Sequence, residues 1–212
     1  GKIMAEPKPR EPMKHQYDYD AATVLGFLRE HGLFEEVNLN IEPNHTQLAG
    51  HEFEHDVVFA AQAGKLGSID ANTGSESLGW DTDEFIVNHA DATMLAKSII
   101  EMGGFKQGGL NFDAKVRRES IEDRDIFIGH IMSMDALAKG LRNAAKLVQD
   151  KRLAGMVASR YQGFDQGIGK QIEAGQVDLE ALEQHCLGAA SEPLPVSGRE
   201  EAFKAVFNQY LA

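Results

Sequence analysis

The stretch VNLNIEPNHT, residues 37–46, decides the architecture of this chain. Its first five residues alternate apolar and polar side chains, which is the pattern of a short β-strand. An acid, Glu42, follows this run at once, and His45 comes three residues later. A carboxylate and an imidazole at the end of one strand can both reach one divalent cation. An isolated pair of this kind is more often a hydrogen-bonded part of the framework.

The same arrangement, an apolar run that ends at an acid, occurs three more times. The other runs are residues 2–5 before Glu6, residues 67–70 ending at Asp70, and residues 109–112 before Asp113. Helical patterns at about residues 20–32, 51–63 and 89–102 separate the runs, and a fourth helix is predicted at about 132–149. Strands that alternate with helices indicate an α/β fold with a parallel sheet and right-handed crossovers.

The C-terminal part of the chain has a different pattern. No strand pattern follows Asp113, and from Met132 onwards apolar residues recur at helical spacing. The last of these helices is preceded by Ser197 and Glu200, which have the spacing of a capping box. The sequence therefore predicts an all-helical tail. Such a tail packs against another subunit or caps its own domain, and the pattern leaves both open.

Composition limits the classes of function. A chain of 212 residues with 42% hydrophobic and 25% charged residues is typical of a soluble, globular protein. The formal net charge of -12 argues against nucleic-acid and anionic-membrane partners. No apolar run approaches the ~20 residues of a membrane span, and no signal peptide is visible. The single cysteine, Cys186, cannot form an internal disulfide, so we expect a reducing cytoplasm.

A parallel sheet brings the C-terminal ends of its strands to one face, where the following loops build active sites. The acids expected on that face are Glu6, Glu42, Asp70, Asp81, Asp83 and Asp113. Carboxylates packed this closely cannot all ionise without cations, although each one alone can serve as a helix cap or a loop acceptor. Two divalent cations and Lys8 bring a charge of about minus six to about minus one. Oxygen donors with a single imidazole, that of His45, favour Mg²⁺ or Mn²⁺, with Co²⁺ possible.

The chain resembles the xylose isomerases, also called glucose isomerases, over nearly all of its length. The motifs that carry the resemblance are EPKP at 6–9, HQYD at 15–18, NIEPNH at 40–45, LAGH at 48–51, DAN at 70–72, GWDTD at 79–83 and NFDAK at 111–115. Pro43 departs from the family, which commonly has a small residue there. The proline stiffens the turn and removes no ligand.

The resemblance implies the second half of a TIM (β/α)₈ barrel. Strands five to eight would lie in residues 1–131, and residues 132–212 would form the last barrel helix and a long helical arm that packs between subunits of a homotetramer. Four strands cannot close a barrel, which typically takes ~250 residues. We therefore expect the chain to begin, at Gly1, inside the fifth strand, with the N-terminal half of the barrel as its missing partner.

The resemblance also implies roles for individual residues. The ligands of a first metal ion would be Glu6, Glu42, Asp70 and Asp113. The ligands of a second ion, which Glu42 bridges to the first, would include His45, Asp81 and Asp83. Catalytic roles fall to Lys8, which hydrogen-bonds the carbonyl end of the sugar, and to Asp83. We expect His15, His51 and His55 to be framework or surface groups.

The activity implied is aldose–ketose isomerisation, from D-xylose to D-xylulose and from D-glucose to D-fructose. The two metal ions polarise oxygens of the open-chain sugar, and a hydride moves between adjacent carbons. Two other functions stay open. One is a non-catalytic, metal-binding half-barrel that needs an N-terminal half, and the other is a related metal-dependent sugar isomerase or epimerase.

Overall fold

The computed structural model describes Gly1, residues 3–189, Leu194 and residues 196–211. The strands are β1 (Ile3–Ala5), β2 (Val37–Ile41), β3 (Leu66–Asp70), β4 (Asn72–Thr73), β5 (Glu84–Phe85) and β6 (Leu110–Asn111). The helices are α1 (Ala21–Glu30), α2 (Pro43–Leu48), α3 (His55–Gln62), α4 (His89–Glu101), α5 (Asp123–Asp150), α6 (Arg152–Tyr161), α7 (Gly167–Glu173), α8 (Leu179–Leu187) and α9 (Glu200–Asn208). Short 3₁₀ helices span Glu76–Leu78 and Gln162–Phe164.

Four strands form one parallel sheet in the order β1-β2-β3-β6. This confirms the predicted mixed α/β arrangement with a parallel sheet, while Lys2 of the predicted first strand lies outside the described residues. The chain also pairs β4 with β5 as a small antiparallel ribbon inside a segment predicted to be a loop. That ribbon holds the loop over the C-terminal ends of the parallel strands.

Local sequence explains where α1 begins and ends. The side chain of Asp20 accepts a hydrogen bond from the backbone N–H of Thr23 at 2.8 Å, which satisfies one of the free donors at the start of the helix. Gly32, just beyond the helix, has φ +69°, a conformation that costs glycine little. Val24, Leu25 and Leu28 are buried on one face of this helix.

The core lies between the sheet and its helices. Leu39, Ile41 and Ile69 of the strands are at most 1% exposed. Leu25 and Val57 are fully buried against them from the helices. Burial of each such side chain stabilises the fold by roughly 1.5–3 kcal/mol, so this core holds the helices against the sheet.

Three helix predictions were wrong. The helix predicted from His51 begins at His55, and a separate helix, α2, occupies residues predicted to be a loop. Proline at the first position of α2 explains the second error, because Pro43 reads as a breaker although its fixed φ suits a helix N-terminus. The fourth helix begins at Asp123 instead of near Met132.

The predicted capping box before α9 is also wrong. The residue that precedes the helix is Arg199, with φ 54° and no capping side chain. The hydroxyl of Ser197 accepts a hydrogen bond from the backbone N–H of Arg199 at 3.2 Å and therefore lies outside the helix.

The chain divides into two compact units, residues 1–146 with Leu211 and residues 147–210. In the second unit α6 packs against α9, and Arg152 donates hydrogen bonds of 3.0 Å to both Gln209 and Tyr210. The predicted domain boundary at 131/132 falls inside α5 and stays a prediction. Within the described residues, no helix combines the length and the apolar character needed to cross a membrane.

Glycine is required where β6 approaches β3. Gly108 has φ +90°, and a Cβ there would lie 2.3 Å from the carbonyl oxygen of Gly67. We expect Gly108→Ala to lower the free energy of unfolding by about 2–4 kcal/mol, which combines the cost of a left-handed residue with overpacking. Gly103 has φ +82° and open space around its Cβ position. Gly103→Ala should therefore lower the free energy of unfolding only by the cost of the left-handed conformation, ~1–2 kcal/mol. Urea unfolding of both variants measures the difference, and equal losses would contradict the close contact.

Candidate metal centre

The predicted acids gather at the C-terminal ends of the parallel strands. Glu6 and Glu42 directly follow β1 and β2, Asp70 ends β3, and Asp113 comes two residues after β6. Their exposure follows the position of the strand in the sheet. Glu42 and Asp70, on the central strands, are 3% and 5% exposed, whereas Glu6 and Asp113, on the edge strands, are exposed.

Glu42 lies at the centre of this constellation. Glu42 offers a carboxylate oxygen to each of three groups in which the ligand atoms all lie within 4.8 Å of one another. The groups are Glu42 with Asp70 and Asp113, Glu42 with Glu6 and His45, and Glu42 with Asp81 and Asp83. The structure thus brings together every residue predicted as a ligand, and their roles as ligands stay predictions.

The helix α2 places His45 beside Glu42. The backbone N–H of His45 donates to the carbonyl of Glu42 at 2.9 Å, so one helical turn returns the imidazole to the strand end. His45 Nε2 then lies 3.2 Å from Glu42 Oε1 and 3.1 Å from Asp81 Oδ2. Glu42 and His45 are therefore brought together by α2, a helix in a segment that the sequence predicted to be a loop.

The proton of His45 can be placed from its contacts. Its Nδ1 lies 3.1 Å from the carbonyl oxygen of Pro7, which can only accept a hydrogen bond. Nδ1 therefore carries the proton, and the lone pair of a neutral His45 is on Nε2, facing two carboxylates. A carbonyl that fixes the tautomer in this way is the usual support of a ligating histidine.

The loop acids are held by two lysines. Lys8 Nζ donates to Asp81 Oδ2 at 2.7 Å, and Lys115 donates to a carboxylate oxygen of Asp83. Burial would lower the pKa of Lys8, but the hydrogen bond to Asp81 raises it above its ordinary value, so Lys8 is an ammonium group. Asp83 has φ +46° and Asp113 φ +39°, left-handed conformations that aspartate adopts more readily than most residues.

Asparagine amides separate the carboxylates of the strand ends. Asn40 Nδ2 donates to Glu6 Oε2 at 2.6 Å and to Asp70 Oδ2 at 2.7 Å, and Asn111 Nδ2 donates to Asp70 Oδ1 at 2.7 Å. Asn44 donates to Asp81 in the same way. Sequence analysis missed these amides and Lys115. Asn40 and Asn111 each stand two residues before a predicted ligand, at or near the end of a strand, and that spacing was the available signal.

Burial and like charges act on the titration of Glu42. Burial first, and then the charges of Asp81, Glu6, Asp83 and Asp70, raise its pKa from 4.5 to about 9. Burial and the hydrogen bond with Asp81 likewise raise the pKa of Asp83. Without cations, the folded chain therefore retains protons that exposed acids have lost at neutral pH.

The residues fit the ions that the sequence predicts. Glu42 Oε1 is buried and has no hydrogen-bond partner among the described residues, although it faces His45 Nε2. A buried carboxylate oxygen opposite an imidazole lone pair needs a proton or a cation between them. The remaining donors are carboxylate oxygens, the ligands that Mg²⁺ and Mn²⁺ prefer.

Curated relatives match the whole chain. The xylose isomerase of Serratia proteamaculans (strain 568) is 49% identical and that of Xanthomonas oryzae pv. oryzae (strain MAFF 311018) 51% identical, each over 211 residues. Both alignments cover 100% of this chain. A family model described as the XylA2 C-terminal domain matches residues 157–211. The chain is homologous to the xylose isomerases.

The homology covers part of each relative. The two alignments span 48% and 47% of the Serratia and Xanthomonas xylose isomerases, so the chain spans about half the length of the curated relatives it matches. Among solved structures, that of an L-ribulose 3-epimerase is similar, with a TM-score of 0.50 over 71% of this chain and 50% of that chain. At 13% sequence identity this likeness concerns the fold alone.

The pKa of Glu42 makes the stability of the metal-free chain depend on pH. The unfolded chain loses the Glu42 proton above its ordinary pKa of 4.5, and the folded chain holds it up to about pH 9. The contribution of the Glu42 proton to the free energy of unfolding is therefore complete below pH 4.5 and disappears as the pH rises towards 9. With a chelator present, we expect the free energy of unfolding of the wild type to decline by at most ~1.4 kcal/mol per pH unit between pH 6 and 8 because of Glu42. Glu42→Gln should remove this decline. Urea unfolding at both pH values measures it, and the exposed Glu36→Gln should keep the wild-type slope.

Proposed function

We propose that this chain carries the metal-binding half of the active site of an aldose–ketose isomerase. The substrates would be D-xylose, giving D-xylulose, and D-glucose, giving D-fructose. The central place of Glu42 carries the proposal, since one carboxylate that is shared by the strand-end acids and the loop acids is suited to bridge two cations. The names of the homologues support the reaction class.

Glu6, Glu42, Asp70 and Asp113 would hold a first divalent cation, and Glu42, His45, Asp81 and Asp83 a second. Mg²⁺ or Mn²⁺, with Co²⁺ as a further candidate, suits these donors. Bound there, the cations supply Lewis acidity towards the carbonyl and hydroxyl oxygens of an open-chain sugar.

The protein's own groups would direct proton and hydride movement. Isomerisation removes a proton from the C2 hydroxyl, moves a hydride from C2 to C1, and adds a proton to the C1 oxygen. Lys8, kept cationic by Asp81, is the donor suited to the negative charge that develops on the C1 oxygen. Asp83, whose pKa is raised by burial and by Asp81, is the acid that we propose to take part in removing the hydroxyl proton.

Completion of the sheet by an N-terminal half-barrel is part of the proposal. The first unit exposes an edge strand, in which Ile3 is 73% exposed, and an apolar stripe on α5 that includes Phe127 (68%) and Ile131 (54%). Open strand edges and apolar patches of this kind are normally covered. Strands five to eight of a TIM barrel, in residues 1–131, would leave these surfaces uncovered.

The helical tail would pack between subunits of a homotetramer in the cytoplasm. In the second unit Leu179 is 85% exposed, Leu187 73% and Tyr161 58%, and these apolar side chains are available to pack against another subunit. The sugar is the expected small-molecule partner, and the net charge of -12 disfavours nucleic acid and anionic membranes.

Two substitutions distinguish a bridging ligand from a ligand of one ion. We expect Glu42→Gln to weaken both Mn²⁺ sites, because one carboxylate is shared. Asp81→Asn should weaken one site by about 10-fold or more and largely spare the other, because Asp81 contacts His45 and Lys8 on the loop side. Calorimetric titration with Mn²⁺ counts the sites. Two wild-type-like binding events in Glu42→Gln would reject the bridging role.

Activity should require the other half of the barrel. We expect the 212-residue chain alone to convert xylose at least ~10³-fold more slowly than its mixture with a separately produced N-terminal half, because one wall of the pocket positions the substrate. The measurement is xylulose formation with Mg²⁺ or Mn²⁺, and Glu42→Gln in the mixture should abolish the gain while Glu36→Gln keeps it. Full activity of the chain alone would overturn the need for a second half. A mixture that binds Mn²⁺ without turnover would favour the non-catalytic module, and an epimer as product would favour a related epimerase.

A further inference from the structure

A second group of metal-ligating side chains lies at the start of α3. One nitrogen of His51, one nitrogen of His55 and one carboxylate oxygen of Asp56 lie within 4.8 Å of one another. We refer to these residues as the His51 cluster. None of them belongs to the strand-end constellation, and the sequence predicted both histidines to be framework or surface groups.

The distances suit ligands of one ion. His55 Nδ1 is 2.9 Å from Asp56 Oδ1. Two donors on one tetrahedral Zn²⁺, each at ~2.0–2.2 Å, lie ~3.3 Å apart, so this pair needs little movement. The imidazole rings are stacked, with centroids 4.1 Å apart and planes 14° apart, so one of these partly exposed rings must turn for both nitrogens to ligate the same ion.

The support around the cluster resembles that of a ligating histidine. Asp20 Oδ2 lies 3.1 Å from His51 Nε2, which orients the ring and leaves Nδ1 for a ligand. Asp56 is 4% exposed at its side chain, and its Oδ2 accepts a hydrogen bond from the backbone N–H of Ala21 at 3.1 Å. The histidine side chains are 28% and 42% exposed, so an ion can reach them from solvent.

The electrostatic surroundings attract a cation. Glu52 and Glu54 flank the cluster in sequence, and Asp91 lies near both of them. Burial first, and then the charges of Glu54 and Glu52, raise the pKa of Asp91 to about 6. Acids thus lie together beside the start of α3, and their negative charge favours a bound cation.

We propose that His51, His55 and Asp56 form a separate site for a transition-metal ion of the Zn²⁺, Ni²⁺ and Cu²⁺ class, with Asp20 positioning His51. Two imidazoles distinguish it from the carboxylate-rich centre, which has one. An ion at this site would join the start of α3 to the start of α1, because Asp20 caps α1 and Asp56 binds the first backbone N–H of that helix. It stabilises the fold without taking part in the chemistry at Glu42.

Zn²⁺ binding to the full chain, with the strand-end sites occupied by excess Mg²⁺, tests this proposal. We expect His51→Gln and His55→Gln each to weaken one Zn²⁺ site by about 10–100-fold or to abolish it, and Asp20→Asn to weaken it by about 10-fold. The exposed His185→Gln on α8 is the matched control and should bind as wild type. Native mass spectrometry counts the ions, calorimetry gives the affinity, and circular dichroism verifies that each variant is folded.

A second readout separates this site from the strand-end centre. With Cu²⁺ as the probe, electron paramagnetic resonance should show coupling to two nitrogens in wild type and in Glu42→Gln, and to one in His55→Gln. Retention of the extra Zn²⁺ in a folded His55→Gln variant would overturn the proposal. Its loss in Glu42→Gln would overturn it as well, because the ion would then belong to the strand-end centre.

Discussion

Repulsion between carboxylates at the ends of parallel strands is the constraint on which this structure depends. A parallel sheet directs the C-terminal end of every strand to the same face, so the acids at the ends of β1, β2, β3 and β6 lie close together. The repulsion is greatest at the central strands, where Glu42 is almost fully buried. The chain reduces it with donors placed between the acids, but burial first, and then the remaining charges of the neighbouring acids, still raise the pKa of Glu42.

The donors follow from the period of a β-strand. Side chains two residues apart in a strand lie on the same side of the sheet, so Asn40 shares a side with the extended residue Glu42. Asn111, the last residue of β6, lies opposite Asp70 of β3. Each amide donates to carboxylates, and Asn40 reaches acids on both neighbouring strands. Neutral donors orient the acids without cancelling their charge. The arrangement therefore preserves the charge that a cation requires.

The sequence was sufficient where a single local signal decides the structure. Alternating apolar residues placed β2, and Asp20 with Gly32 placed the ends of α1. It was insufficient where two signals compete at one residue. Pro43 excludes a helix interior but favours a helix start, and only the position of the preceding strand decides between them. The acids Glu6, Glu42, Asp70 and Asp113 could be predicted because each ends or closely follows a strand, whereas Asn44 and Lys115 act through contacts across the fold that no spacing reveals.

The two edges of the sheet show how closure and cation binding depend on each other. Glu6 and Asp113 are exposed because their strands have no outer neighbour among the described residues, and water therefore screens their charges. A strand added at either edge would remove that water and strengthen the repulsion from Glu42 and Asp70. Cations that lower the repulsion thereby favour closure, and closure that removes water strengthens the attraction of the acids for cations. Because linkage is reciprocal, each process favours the other by the same free energy, so a closed sheet should hold its ions more tightly than an open one.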